Sequence, residues 1–271
     1  MTYFGFLGLF VVVPMLILWL IALIDHRRGV RLPAPMQTWD AWVPILTHCV
    51  IAVVYTTPWD NYLVATKVWW YDPKLVTGLV LGYVPIEEYC FFVLQVLLTG
   101  AWLAMLARHT PITQPVEPSP RKRWMWTLAL LIVWLGFLVI LIGNWRPGTY
   151  LALLMLWALP PVMMQTAFGA DILWRHRKII LLSIIPMTLY LAASDKLAIS
   201  SGTWTINPEQ TVGILILGRL PIEEFAFFLM TNTLITLGCT LMLDVESKAR
   251  AIRYVTMARQ FLAARGRDRV A

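Results

Sequence analysis

Apolar residues fall into seven long runs along the chain, separated by short polar segments. A helix needs about 20 apolar residues to cross the hydrocarbon core of a bilayer, and the runs are near that length. The pattern therefore predicts membrane-spanning helices at approximately 3–24, 39–57, 75–107, 124–142, 150–169, 179–193 and 211–243. The sixth run is short, and we expect its helix to extend by a few residues at either end.

The third and seventh runs are longer than one helical span requires. As straight helices of 33 residues they would measure about 50 Å. Each contains a proline, Pro85 or Pro221, which removes a hydrogen bond from a helix interior and obstructs the preceding turn. We therefore predict a kinked or discontinuous helix in each run, with the proline as the first residue of the second part.

The composition is that of a membrane protein. Of the 271 residues, 59% are hydrophobic and 14% are charged, whereas a soluble domain carries roughly a quarter charged residues. The net charge of +7 arises from basic clusters between the apolar runs, a pattern of membrane topology and not of nucleic-acid binding. One set of loops and the tail hold 17 Lys and Arg residues, against four in the opposite loops. The positive-inside rule then predicts an outer N-terminus and a cytoplasmic C-terminus.

Motifs of several other protein classes are absent from the sequence. Cys49, Cys90 and Cys239 lie in apolar runs without CxxC spacing, so we expect neither a disulfide framework nor a zinc site. The chain has no GxGxxG or Walker A motif for nucleotides. It also has no DxxxD-type cluster in a span for magnesium and a diphosphate, and no lysine in the seventh run for retinal. We therefore predict no metal and no cofactor. The first run has no basic segment before it and no A-x-A site, so we expect a retained helix.

An eight-residue segment occurs twice, as PIEEYCFF at 85–92 and as PIEEFAFF at 221–228. Flanking residues repeat as well, with offsets of 135 and 146: Asp60, Trp69 and Pro73 match Asp195, Trp204 and Pro208, and Pro14 and Asp25 match Pro160 and Asp171. The first three runs thus correspond to the last three. We predict an all-α integral membrane fold in which two parallel three-helix repeats are joined by one linker helix.

The repeat divides the chain into four parts. Residues 1–108 form the first three-helix repeat, and 109–148 form a Pro-rich linker with the fourth helix. Residues 149–245 form the second repeat, and 246–271 form a basic cytoplasmic tail. The tail forms either an amphipathic helix on an anionic leaflet or a solvated segment, and the sequence leaves both open.

The duplicated glutamates are the strongest candidates for chemistry. An ionised side chain at bilayer depth costs at least about 2.5–3.5 kcal/mol, and here Glu87, Glu88, Glu223 and Glu224 occur as adjacent pairs in long apolar runs. Neighbours on a helix point about 100° apart, so one glutamate of each pair can face the interior while the other faces an adjacent helix. Purely structural glutamates that hold helices together are the alternative.

The two pairs differ in their flanking residues. Arg219 lies two residues before Pro221, where the first copy has Tyr83. We expect the guanidinium to keep Glu223 or Glu224 ionised as a base, and Glu87 or Glu88 to be the protonated acid. Opposite effects of neutralising the two pairs on the limbs of the pH–rate profile would support this hypothesis, and identical effects would contradict it.

Other polar and aromatic residues near the glutamates have structural alternatives. Asp60 and Asp195 lie just outside the predicted spans, and we expect capping or loop hydrogen bonds from them in preference to catalysis. His48 lies alone in a span and is interpreted as a core residue. Four phenylalanines one turn from the glutamates either line a pocket that stabilises a carbocation or pack the core; they are Phe91, Phe92, Phe227 and Phe228.

The duplicated PIEE-(Y/F)-x-FF segments resemble those of the flavin-free membrane lycopene cyclases of carotenoid biosynthesis. Members of that family occur as two-subunit enzymes, as fused two-domain chains, and as a domain of bifunctional fungal enzymes. The family motif falls on Pro85, Glu87 and Glu88, and again on Pro221, Glu223 and Glu224. The resemblance covers nearly the whole chain and implies a fused enzyme that needs no partner subunit.

The resemblance implies a cyclase in a prokaryotic cytoplasmic membrane that converts lycopene through γ-carotene to β-carotene, a redox-neutral isomerisation. Its substrate is an apolar carotenoid dissolved in membrane lipid, and other carotenoid-biosynthesis enzymes are candidate partners. The four glutamates are the expected acid–base groups. Three alternatives stay open: a cyclase or hydratase of related C50 carotenoids, a transporter with the same 3+1+3 layout, and a structural membrane protein.

Overall fold

A computed structural model describes residues 1–112 and 117–267. Over these residues the chain is mostly helical, and seven helices are long and apolar enough to cross a membrane. The helices are α1 (Tyr3–Arg27), α2 (Trp42–Ala65), α3 (Ile86–His109), α4 (Pro120–Ile142), α5 (Thr149–Arg175), α6 (Arg177–Ser200) and α7 (Ile222–Leu243). An eighth helix, α8 (Val245–Arg267), follows in the tail.

Seven predicted spans are confirmed as long apolar helices, but several bounds differ from the prediction. Helix α6 extends beyond 179–193 at both ends, as expected. Helix α2 was predicted to end at residue 57, yet it continues through Pro58 to Ala65. Asp60, which lies beyond the predicted end, is buried within this helix. In the tail, α8 leaves Ile252 and Val255 exposed.

The third and seventh runs do not form kinked helices, and this prediction was wrong. In each run a short antiparallel hairpin precedes the helix: β2 (Val80–Leu81) pairs with β3 (Val84–Pro85), and β5 (Leu215–Ile216) pairs with β6 (Leu220–Pro221). Gly82 and Gly218 in the turns have φ of +70° and +76°, which glycine adopts without steric cost.

The prolines therefore differ from their predicted position. Pro85 and Pro221 are extended, with ψ of 151° and 142°, and they are N-cap residues that end the hairpins. A proline biases its preceding residue toward β conformation, which suits a hairpin strand better than a helix. The glutamates nevertheless lie in the first turns of α3 and α7, as predicted.

A third pair of strands joins the two halves of the chain. Strands β1 (Trp69–Tyr71) and β4 (Trp204–Ile206) are antiparallel, with Trp70 opposite Thr205. Two further backbone hydrogen bonds extend the pairing, from Asp72 N–H to the Thr203 carbonyl (3.2 Å) and from Asn207 N–H to the Val68 carbonyl (2.8 Å). This ribbon follows the ends of α2 and α6 and so lies where α3 and α7 begin.

Helices α3 and α7 lie at the centre of the bundle and contact each other. The Gln95 amide donates to the Thr231 hydroxyl (2.7 Å), and the Thr99 hydroxyl donates to the Asn232 amide oxygen (2.8 Å). The rings of Phe91 and Phe228 meet edge to face. Helix α4 is peripheral, since none of its residues is buried.

Buried ion pairs hold the opposite end of the bundle. Arg250 of α8 forms a bidentate pair with Asp171 at 2.7 and 2.9 Å, and Asp244 accepts hydrogen bonds from Arg175 and His176. Burial opposes ionisation of Asp244, but the hydrogen bond from His176 and the charge of Arg175 outweigh it and lower its pKa. These contacts fix α8 to the α5–α6 turn.

Candidate functional site

A small cavity lies beneath the β1–β4 ribbon and is lined by residues from both halves of the chain. Glu88 of α3 and Glu224 of α7 both line it, together with Tyr3, Tyr71 and Tyr150. Each glutamate lies in the first turn of its helix, where free backbone N–H groups favour negative charge. The cavity therefore brings together one carboxyl group from each duplicated segment.

Glu88 accepts two hydrogen bonds on one carboxylate oxygen. The hydroxyl groups of Tyr3 and Tyr71 both donate to Oε2, the second at 2.9 Å. Trp69 Nε1 in turn donates to the Tyr71 hydroxyl oxygen at 3.1 Å, which orients the Tyr71 proton toward Glu88. Burial and the charge of Glu88 raise the pKa of Tyr71 well above its usual value, so Tyr71 is a neutral donor.

Glu224 has fewer partners. The Tyr150 hydroxyl donates to its Oε1 at 2.7 Å. Asp195 also lines the cavity, and its Oδ1 accepts a hydrogen bond from Trp204 Nε1 at 2.9 Å. The two glutamates thus have different hydrogen-bond environments, which is the condition for separate acid and base roles.

The other glutamate of each pair points away from the cavity. Glu87 Oε1 accepts from the backbone N–H of Thr77 (2.6 Å), and Glu223 Oε1 accepts from that of Val212 (2.7 Å). Thr77 and Val212 lie in the loops before the hairpins. We had expected this glutamate to face an adjacent helix. It binds a loop instead, because the hairpin folds back over the helix start.

Arg219 does not have the role that the sequence suggested. Its side chain is exposed at the turn of the β5–β6 hairpin, and no ion pair joins it to Glu223 or Glu224 in the part of the chain that the structure describes. The expectation assumed a continuous helix that would hold Arg219 near the glutamates. The hairpin turns it outward.

Asp60 and Asp195 are also placed differently from the expectation. They lie inside α2 and α6, each only 1% exposed, and neither caps a helix. Within residues 1–112 and 117–267, neither carboxylate oxygen of Asp60 has a hydrogen-bond partner. The glutamates are therefore not the only acidic residues deep in the spans.

Aromatic rings form much of the remaining wall of the cavity. Phe91, Phe227 and Phe228 line it, whereas Phe92 packs edge to face against Tyr89. His48 is not part of the cavity; its Nδ1 contacts the Pro44 carbonyl at 2.7 Å. Among the described residues, no group of three or more His, Cys, Asp or Glu is arranged to hold a metal ion.

Sequence reasoning missed the three tyrosines, and it found Trp69 and Trp204 as a duplicated pair without assigning them to the site. A signal for two of the tyrosines was present, because Tyr3 and Tyr150 are 147 residues apart, close to the offset of 146 for Pro14 and Pro160. The residues Gly8–Val12 of α1 form a π-helical turn. A π-bulge inserts one extra residue into a helix, which accounts for the change of offset by one.

Comparison with known proteins identifies similar chains. The lycopene cyclase family model matches residues 1–106 and 146–242, and each segment contains one glutamate pair. A lycopene beta-cyclase of Halobacterium salinarum is 41% identical over 191 residues, which cover 70% of this chain and 78% of that protein. Bifunctional lycopene cyclase/phytoene synthases of Phycomyces blakesleeanus and Sporisorium reilianum are 35% identical over 69% and 70% of this chain, and these alignments cover 32% and 29% of the fungal proteins. No solved structure matches the chain.

Proposed function

The chain belongs to the lycopene cyclase family, and from this we propose that it converts lycopene through γ-carotene to β-carotene. The observation that carries the proposal is the meeting of Glu88 and Glu224 in one cavity with aromatic walls. The relative in Halobacterium salinarum is named a lycopene beta-cyclase, which supports the β ring as the product.

Ring closure needs one acid and one base and no redox cofactor. An acid adds a proton to the terminal double bond, the next double bond attacks the resulting cation, and a base removes a proton from the new ring. Atoms and electrons balance, so the reaction is an isomerisation. The rings of Phe91, Phe227 and Phe228 would stabilise the cation and exclude water, which would otherwise capture it as an alcohol.

We assign Glu224 as the acid and Glu88 as the base, the reverse of the expectation from Arg219. Hydrogen bonds to a carboxylate favour its charged form, and Glu88 accepts two where Glu224 accepts one. Each cycle moves a proton from Glu224 to the substrate and another from the substrate to Glu88. Before the next cycle Glu88 must release its proton and Glu224 must regain one, and Asp195, which lines the same cavity, would pass a proton to Glu224 and take one up in turn.

We further propose that the helices form two parallel repeats, α1–α3 and α5–α7, around an axis through the β1–β4 ribbon. Corresponding hydrogen bonds support this arrangement: Thr77 to Glu87 matches Val212 to Glu223, and Tyr3 to Glu88 matches Tyr150 to Glu224. The protein would lie in a prokaryotic cytoplasmic membrane and take its carotenoid from the lipid.

Pigment analysis tests the function. In cells that accumulate lycopene, expression of the chain should produce γ- and β-carotene, separated by chromatography. Glu88→Gln and Glu224→Gln should each lower ring formation by about 10²–10⁴-fold, the range for a lost acid or base group.

Glu209→Gln is the matched control, because Glu209 is exposed and outside the cavity; it should leave the pigments unchanged. Unchanged lycopene beside well-expressed wild-type protein would contradict the proposal. A hydroxylated product would indicate a hydratase, and activity only on a C50 carotenoid would change the substrate.

A further inference from the structure

A larger groove opens from the lipid-facing surface between α2, α3, α5 and α7. Its empty volume is about 930 Å³, and its lining includes Ile51, Tyr55, Trp157, Met164, Phe227 and Leu234. We call it the aromatic groove. Phe227 also lines the carboxylate cavity, so one ring forms a wall of both.

A ladder of stacked rings connects the groove with the cavity. Tyr55 stacks on Trp157 with ring centroids 5.7 Å apart, and Trp157 stacks on Trp59 at 4.4 Å. Trp59 is in turn parallel to Phe227, at 6.2 Å and an interplanar angle of 3°. Tyr55, Trp157 and Phe227 of this ladder line the groove and give it a large apolar wall against which a conjugated chain can pack.

The groove is open to the lipid and long enough to hold one end of a polyene chain. Its α5 wall runs from Trp157 to Gln165, about 12 Å at 1.5 Å per residue. Met164 is 73% exposed and Tyr55 is 41% exposed, so the groove is open to the surrounding lipid. A chain lying in it would have one end at Phe227, beside the two glutamates.

The corresponding place in the other half is built differently. A second groove, between α1, α3 and α6, is lined by Pro14, Ile17, Leu98, Trp102, Pro186 and Tyr190. Tyr190 donates to the Phe10 carbonyl as Tyr55 donates to the Trp157 carbonyl, each at 2.9 Å. Yet the residue whose carbonyl accepts this hydrogen bond is Phe10 in one half and Trp157 in the other. Trp59 also has no aromatic counterpart, because the residue at the offset of 135 is Ser194.

The second groove therefore lacks a stacked ladder: Phe10 packs against Phe6 of the cavity wall at 5.5 Å, but the two rings are tilted and neither lines the second groove. The second groove also shares no lining residue with the carboxylate cavity. An end of the substrate in the second groove would have neither stacked rings nor a shared wall to guide it to the glutamates.

We propose that the aromatic groove is the binding site for the polyene chain and the single entrance to the catalytic cavity. The proposal rests on the proposed function and deepens it. Both ends of the substrate then use the same entrance in turn. The monocyclic intermediate leaves, reverses and returns, because its second end lies far out in the lipid while the first ring is made.

Matched substitutions in the two grooves test the single entrance. Met164→Trp narrows the aromatic groove, and Ile17→Trp places the same bulk in the second groove; both positions are exposed in the wild-type chain. A second pair, Trp157→Leu and Trp102→Leu, removes one indole ring from the lining of each groove. Each variant is expressed in lycopene-accumulating cells, with protein yield and thermal unfolding in detergent measured alongside.

We expect Trp157→Leu to slow cyclisation by about tenfold, the size of one lost aromatic contact, and Met164→Trp to slow it by obstructing the groove. Both should raise the ratio of γ- to β-carotene. Ile17→Trp and Trp102→Leu should stay within about twofold of wild type, since no aromatic contact of the entrance is lost. Equal losses in both grooves, or no loss in either, would overturn the single entrance. A groove that retains only lipid acyl chains in purified protein, with Met164→Trp fully active, would also overturn it. Failure of the wild-type chain to cyclise lycopene would instead contradict the proposed function.

Discussion

At the scale of single residues, each adjacent glutamate pair divides its carboxyl groups between two environments. Glu88 and Glu224 reach the cavity, while Glu87 and Glu223 bind backbone N–H groups of the preceding loops. This division follows from the rotation of about 100° per residue in a helix. We infer that the first glutamate of each pair is a positioning residue that holds the hairpin over the site.

Substitutions in one pair separate these roles. Glu87→Gln keeps an acceptor for the Thr77 N–H, so we expect near-normal cyclisation. Glu87→Ala leaves that N–H unpaired and should lower the free energy of unfolding by about 1–3 kcal/mol, measured by thermal unfolding in detergent. Glu88→Gln should unfold like wild type and yet fail to form rings. The interpretation fails if Glu87→Gln is as inactive as Glu88→Gln at unchanged stability.

At the scale of helices and strands, the sequence predicted what the bilayer demands. Runs of about 20 apolar residues have few alternatives to a spanning helix, and the spans were found on that basis. The hairpins were missed because Val80, Leu81 and Leu215 are as apolar as helix residues, although all three are exposed. Hydropathy does not distinguish an apolar hairpin strand from the start of an apolar helix. The glycines Gly82 and Gly218, shortly before the two prolines, were the signal available in the sequence.

The site was predictable only in part, for a related reason. Duplication identified the glutamates and phenylalanines, since both copies keep the same letters. Tyr3 and Tyr71 reach Glu88 from sequence separations of 85 and 17 residues, and tertiary packing alone brings them together. Arg219 was misplaced because its position depends on the hairpin, which the apolar pattern concealed.

A divided chain tests whether the three-helix units are separate parts. The segment from His109 to Pro120 joins α3 to α4 at the end of the bundle opposite the cavity, and residues 113–116 lie outside the described residues. We expect chains 1–112 and 117–271 to restore cyclisation when expressed together and to purify as a complex. Neither chain alone should be active, because Glu88 and Glu224 then belong to different chains.

The control is a cut after Lys74. It separates the β1–β4 ribbon from the loop in which the Leu75 carbonyl accepts the Tyr3 N–H at 2.8 Å and Thr77 binds Glu87. Pieces cut there should not restore activity. Equal recovery from both divisions would show that the linker is not a special boundary.

At the scale of the whole molecule, the two ends of the bundle differ in their basic residues and in what they contain. The carboxylate cavity lies at the end where α3 and α7 begin, near the sparse basic residues Lys67, Lys74, Arg146 and Lys196. The other end holds the tail and buried pairs such as Asp171 with Arg250. With the positive-inside rule, we propose that the cavity lies near the outer leaflet and that its ribbon faces outward.

Cysteine labelling decides the orientation and with it the side from which protons reach the site. In a chain whose three native cysteines are replaced, Glu209→Cys reports the cavity end and Arg259→Cys reports the tail; both positions are exposed. A membrane-impermeant thiol reagent added to intact cells should label the first and reach the second only after permeabilisation. The reverse pattern would place the glutamates at the cytoplasmic side, where cytoplasmic pH would then control their reprotonation.

If the expected pattern holds, external pH should change the ratio of cyclised to uncyclised pigment, because Glu224 must regain a proton in every cycle.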